Sequence, residues 1–213
     1  MRKFRHALLV TGMLMSLASC TSQPVSVGVG IGTPHASIGF YVPAYPRLAA
    51  IPGYPVYYAP YIQANFFFYD GLYWVYQNDL WYSSSWYNGP WWVVEPRYVP
   101  APILRVPVRY YRKPPHYFSG WRADAPPRWN EHWGREWEQR RSGWDKAPGQ
   151  RAPAAAPAPV YQQRYSGREY PRQVERQREL HEQNYRYQPR DPLVRQRYQE
   201  EAMPALKGQK RNP

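Results

Sequence analysis

One aromatic run, FFFYDGLYWVYQNDLWYSSSWYNGPWWVV from Phe66 to Val94, decides what this chain can fold into. Thirteen of the residues from Phe66 to Trp92 are Phe, Tyr or Trp, and turn-forming groups interrupt them at Asp70-Gly71, Asn78-Asp79 and Asn88-Gly89-Pro90. Aromatic side chains suit a pleated surface, and Asx and Gly residues suit tight hairpin turns. The pattern predicts a β-meander with strands at about 66–69, 72–77, 80–86 and 91–95.

Alternation puts Leu72, Trp74 and Tyr76 on one face of the second strand, and Tyr73, Val75 and Gln77 on the other. Neither face is cleanly polar, although an antiparallel sheet with one wet face alternates well. Either both faces are covered by other parts of the chain or one is a binding surface. Packing is the ordinary reading, because aromatics bury large areas. The functional reading is an exposed platform for stacking sugar rings, with Trp81 and Trp92 as its candidates.

Residues 1–19 read as a lipoprotein signal peptide. Arg2, Lys3 and Arg5 precede an apolar stretch, Ala7 to Ala18, too short to span a bilayer. Leu17-Ala18-Ser19-Cys20 resembles the lipobox of bacterial lipoproteins. That resemblance implies cleavage before Cys20 and a thioether from its sulfur to diacylglycerol. Cys20 is the single cysteine, which in an exported chain is otherwise a leftover thiol. Thr21 stands where the enterobacterial inner-membrane retention signal usually has Asp, which favours the outer membrane.

Residues 20–50 read as a Gly/Pro-rich tether. Val25, Val27, Val29 and Ile31 alternate with small residues in a strand pattern. Thr33-Pro34-His35 is placed to turn it into a hairpin ending at Val42. Gly28, Gly30 and Gly32 lack the helix and the Lys-Ser/Thr of a phosphate loop. From Pro43 to Pro60 the frequent prolines block helix and predict extended chain, with Tyr45, Tyr54, Tyr57 and Tyr58 placed to cover the sheet.

After the meander, Leu104, Val106, Val108 and Tyr110 alternate with Arg105, Pro107 and Arg109. This predicts an edge strand with its Pro and Arg face outward. Arg105, Arg109, Arg112 and Lys113 are the candidate residues for binding an anionic polymer; an edge capped with charge is the structural alternative. In Ser119 to Asp145, Trp129, Trp133 and Trp137 share one helical face. The helix is expected to dock on the meander, with Arg135, Glu138 and Arg141 toward water. The alternative is an interfacial helix lying on the membrane.

Residues 146–213 read as an Ala/Pro linker and a basic low-complexity tail, with short helices from Gln173 to Asn184 and from Asp191 to Met203. Neither helix has the apolar content to pack independently. The expected fold is therefore mainly β. It is a small aromatic-rich antiparallel meander at 51–145 with one Trp-rich helix packed on it, followed by a disordered basic tail.

Charge divides the chain. Formal net charge is +13. Residues 20–96 hold Arg47 against Asp70, Asp79 and Glu95, while residues 97–213 hold 24 Lys and Arg against 12 acids. The segments PGYPVYYAP, the aromatic run, LRVPVRYYRKPPHYF and GWRADAPPRWNEHWGREWEQRRSGWD together resemble a family of uncharacterised exported proteobacterial lipoproteins. The resemblance implies an envelope location and a single aromatic domain, and transfers no catalytic residues.

No catalytic set is legible. There is no Gly-x-Ser-x-Gly elbow, and Asp70 and Asp79 read as turn formers. His132 has Glu131 and Glu136 nearby but no second His within helical reach, so neither a metal site nor a cofactor is expected. The expectation is an outer-membrane-anchored, non-catalytic lipoprotein with a structural or interaction role in the cell envelope. Its partners are the membrane, through lipid on Cys20, and an envelope protein or anionic polymer. No specific nucleic acid is expected, although such charge attracts DNA non-specifically. The alternative is a carbohydrate-binding module with exposed Trp and Tyr.

Overall fold

The computed structural model describes residues 38, 41–42, 45–146, 154–159 and 170–209, the last eight by their backbone alone. Six antiparallel strands lie in sequence order: β1 (Ala49–Ala50), β2 (Val56–Tyr58), β3 (Asn65–Tyr69), β4 (Leu72–Gln77), β5 (Leu80–Ser84) and β6 (Trp92–Val94). The expected meander is present, and the Pro-rich segment before it adds β1 and β2. Two-residue turns set the register. Asp70 and Gly71 have φ of 50° and 93°, and Asn78 and Asp79 have 51° and 64°. Paired positive φ values give the turn twist that matches flanking strands, and Asx and Gly tolerate it best. Tyr69 is thereby paired with Leu72, and Gln77 with Leu80.

The poor alternation of the strands has a direct cause: the sheet is covered on both sides. Phe67, Trp74, Tyr76 and Trp81 face one core with Val99, Ile103, Leu104, Tyr111, Phe118 and Trp129. Phe66, Phe68, Tyr73, Val75 and Tyr82 face a second core with Ile38, Val42, Trp86 and Tyr87, against which Tyr45, Tyr185 and Tyr187 pack. Segments from before and after the meander thus bury its second face. Asn88 fastens the first of them, accepting the Val42 N–H at 2.9 Å and donating to its carbonyl at 2.9 Å.

The expected strand at 104–110 does not form. Its place is taken by one helical turn, α1 (Ala101–Leu104), and a 3-10 turn at Val108–Tyr110. Pro100, Pro102 and Pro107 remove ladder donors, and Pro102 fits the first turn of a helix. Val108 and Arg109 donate instead to the carbonyls of Ala125 and Ala123, at 3.0 and 2.9 Å. Pro107 is buried rather than turned outward.

The Trp helix is α2 (Trp129–Arg140), and it docks on the sheet as expected. Gly134, at φ 79°, breaks it in the middle. Trp129 stacks on Trp133 at 4.4 Å between centroids, and its indole donates to the Leu104 carbonyl at 2.9 Å. Arg135 and Glu138 are exposed. Arg141 differs from expectation: it is partly buried and donates to the Val99 carbonyl at 2.7 Å.

The two helices expected in the tail form, as α3 (Val174–Asn184) and α4 (Pro192–Gln209), but they dock rather than stand free, with Leu180, His181 and Val194 buried. As the sequence suggested, these helices carry few apolar residues. They are held by polar bonds, such as that from the Tyr87 hydroxyl to Gln177 Oε1 at 2.5 Å, and by aromatic contacts such as His181 on Trp86. Asp191 caps α4 by accepting the Leu193 N–H at 2.9 Å.

Candidate functional site

The chemistry-bearing side chains converge at the β4–β5 turn. Asp79 holds the second positive-φ position of that turn. Its Oδ1 accepts from the Tyr76 hydroxyl at 2.6 Å, the Tyr117 hydroxyl at 2.8 Å and His132 Nε2 at 2.7 Å. Tyr76 comes from β4, Tyr117 from a 3-10 turn at His116–Phe118, and His132 from the first half of α2. The two hydroxyls also touch each other. The Tyr117 and His132 rings stack at 4.2 Å with 9° between their planes. The Asp79 side chain is 54% exposed and that of His132 20%, so the cluster opens to solvent.

Its electrostatics follow from these contacts. Partial burial acts to raise the Asp79 carboxyl, but the bonds from Tyr76, Tyr117 and His132 outweigh it and hold the group below the ordinary carboxylate range. Burial, together with hydrogen bonding to Asp79, pushes the Tyr76 phenol well above its usual value. Tyr117 is also raised, first by burial, with its bond to Tyr76 opposing and that to Asp79 reinforcing.

From the sequence, Asp79 reads as a turn former and His132 has only Glu131 and Glu136 nearby, whereas the structure pairs His132 with Asp79. The partners lie 38 and 53 residues from Asp79, and no helical or strand period connects them. The available signal was His132 itself, three residues after Trp129 and therefore beside the buried edge of its helix.

The four basic candidates divide. Arg105 is partly buried and spent on structure, donating to the Ala101 and Lys146 carbonyls. The expectation that alternation sets it outward beside Arg109 fails with the strand. Arg109, Arg112 and Lys113 are exposed within five residues of chain. Asn65 fastens this segment by accepting the Lys113 N–H at 2.9 Å and donating to its carbonyl at 2.7 Å. Arg112 and Lys113 form no ion pair among the described residues.

The aromatic candidates are in the core. Trp74, Trp81, Trp86, Trp91 and Trp92 are 0, 1, 2, 3 and 7% exposed. Trp81 lies between Tyr76, Phe67 and Trp129. Neither Trp81 nor Trp92 offers a ring face of the kind a sugar stacks on. A cavity of about 300 Å³ lies between the Trp86–Gly89 turn and α3, with Glu175, Arg178 and Glu182 on its rim. Cys20 and the strand pattern from Val25 to Ile31 lie outside the described residues.

Comparison with family models, curated proteins and solved structures finds no match to this chain.

Proposed function

We propose that the chain is an outer-membrane-anchored lipoprotein with a non-catalytic structural or interaction role in the cell envelope, in which the folded domain binds an anionic polymer or an envelope protein. One observation carries this reading over the carbohydrate-binding alternative. Every Trp between 61 and 118 is buried, while Arg109, Arg112 and Lys113 are exposed on a segment that Asn65 fastens through the Lys113 backbone. Tryptophan in this region serves the core, and the exposed rings are separate tyrosines such as Tyr61 and Tyr98. Single exposed cations contribute little, but several together give salt-sensitive attraction.

The experiment has two arms. Fractionation of envelopes compares the wild-type chain with Cys20→Ser, which should lose membrane association or stall in processing. In the second arm the full chain is mixed with lipopolysaccharide vesicles over a salt series. Binding should fall between low and moderate salt, and R109E/R112E/K113E should weaken it several-fold without changing the near-ultraviolet circular dichroism. Cys20→Ser protein that is still cut after Ser19 and stays in the membrane would overturn the anchor. Salt-independent binding to neutral glycan would overturn the charge-based reading.

A further inference from the structure

Residues 109–123 form a loop that is closed at its base. The Val108 and Arg109 N–H groups bond to the Ala125 and Ala123 carbonyls, and Arg109 Nε donates to the Ala123 carbonyl again, at 3.2 Å. Loops with joined ends and their own packed side chains are compact surface elements. Here the packing is aromatic. Tyr111 and Phe118 are buried and meet at 5.2 Å between centroids, and Trp121 stacks on Phe118 at 4.6 Å. Pro114 and Pro115 fix two backbone angles on the outer turn. Asn65 pins the Lys113 backbone from the sheet side.

The outside of this loop carries one sign of charge. It holds Arg109, Arg112, Lys113 and Arg122, and no Asp or Glu. All four cations are exposed. Arg122 pairs with Asp124, just beyond the loop. Arg109, Arg112 and Lys113 form no ion pair among the described residues. Trp121 stands beside them only partly buried, with the Arg128 guanidinium 5.7 Å from its ring centroid.

We propose that this loop rests on the phosphate groups of an anionic bilayer surface, with Trp121 at the headgroup level, an assignment that rests on the charge-based reading above and names its ligand. Charge complementarity selects an anion, and the arginine fork suits phosphate oxygens two at a time. Shape selects a surface. Small ligands are taken up in concave pockets, whereas residues 112–114, 116, 119–120 and 122–124 are exposed together around the outside of the loop. Indole, with an apolar body and a polar N–H, settles where hydrocarbon gives way to headgroups. Trp121 is the tryptophan that the loop leaves partly open. A backbone already fixed lowers the ordering cost of contact. Each cation close to an anionic bilayer raises partitioning about fivefold, an attraction that salt screens. The interfacial element is thus this loop and not α2, whose Trp129 and Trp137 are in the core.

The test compares sedimentation of the full chain with vesicles of phosphatidylcholine alone and with added phosphatidylglycerol. Neutral vesicles give the baseline, including whatever an acyl anchor contributes. Anionic lipid should raise binding over that baseline, more at low than at moderate salt. R112Q/K113Q, at two exposed side chains, should lower the increment about tenfold. Brominated lipid in the anionic vesicles should quench the tryptophan emission of the wild type more than that of Trp121→Phe. No increment on anionic lipid overturns the proposal, as does an increment that R112Q/K113Q leaves intact or equal quenching in Trp121→Phe. Soluble polyphosphate is the second arm. Salt-sensitive binding to it without vesicle binding overturns the surface assignment and leaves the charge-based reading standing, while failure of both arms overturns both.

Discussion

The Tyr187 hydroxyl donates to Asp70 Oδ1 at 2.6 Å, tying the β3–β4 turn to a residue 117 positions later in the chain. The other oxygen, Oδ2, accepts the N–H groups of Arg190 at 2.8 Å and Asp191 at 2.7 Å. The chain between α3 and α4 therefore passes around the end of the sheet over this turn, and the Tyr187 ring lies against Gly71. Asp70, read from sequence as a turn former, is also the anchor of the C-terminal segment.

Asp70→Asn tests that anchor. Asn keeps the positive φ but loses the charge, and it presents an amide donor to N–H groups. A hydrogen bond to a charged group is worth about 1.5–3 kcal/mol, so the segment 185–195 should lose about that much docking free energy. Amide hydrogen exchange should speed up in α3 and α4 and stay unchanged in β3 and β4. Equal protection in wild type and variant would show that Asp70 does not hold the segment.

The two docked helices should respond to pH in opposite directions. Burial, with Arg178 nearby, pushes the His181 imidazole down to about 4, from 6.5. Between those values the free chain binds a proton that the folded one does not, so docking of α3 is complete above pH 6.5 and is lost as pH falls toward 4. Burial pushes the Glu201 carboxyl up from 4.5 to about 7, against the opposing bonds from Ser85 and Ser83 and the charge of Arg197. Here the folded chain binds the extra proton, so docking of α4 is complete below pH 4.5 and weakens as pH rises through 7. Each effect is at most about 3 kcal/mol. Protection factors corrected for intrinsic exchange should move oppositely in the two helices, and E201Q should remove the dependence in α4 alone.

Trp129 should be the most costly indole of α2. It is fully buried against Tyr76, Trp81 and Phe118, and its N–H satisfies the Leu104 carbonyl. Trp129→Ala should cost about 3–5 kcal/mol, and Trp129→Phe about 1–3 kcal/mol through the unpaired carbonyl. Trp121, partly buried and stacked on Phe118, should cost less than half as much on replacement by Ala. Denaturant midpoints measure both, and equal losses at 121 and 129 would contradict this ordering.

Two glycines separate backbone strain from crowding. Gly89 and Gly120 have φ of 83° and 78°, but a Cβ at Gly89 would meet Trp91 Cδ1 at 2.7 Å, whereas one at Gly120 would meet nothing within 4 Å. Gly120→Ala should cost the left-handed penalty of about 1–2 kcal/mol. Gly89→Ala should cost clearly more, read as a larger fall in melting temperature.

The parts of this fold that were legible were local. Asp70-Gly71 and Asn78-Asp79 marked their turns because positive φ selects those residue types, and β4 follows with its ends in place. The alternation of Leu104, Val106 and Val108 was misleading for a physical reason. A helical turn followed by a 3-10 turn also buries Leu104 and Val106, while the prolines deny a ladder its donors. The docking of α3 and α4 was hidden because its anchors are polar and aromatic: Gln177 under Tyr87, His181 on Trp86, and Asp191 accepting the Tyr69 hydroxyl. Counting aliphatic residues misses them. The Asp79 cluster was beyond reach for a different reason, since its members meet only after α2 has packed on the sheet.

The path of the chain around Asp70 also imposes an order of assembly. The meander is complete at Val94, yet the groups that satisfy the Asp70 carboxylate stand at 187, 190 and 191. A chain emerging from its N-terminus thus has all six strands available while one aromatic face stays partly uncovered until residues 185–187 arrive. During that interval Phe68 and Tyr73 lack the cover of Tyr185 and Tyr187, and a chain cut short after α2 never gains it. Adhesive behaviour is therefore to be sought in nascent and truncated forms, where a chaperone has both a reason to bind and a defined moment to let go.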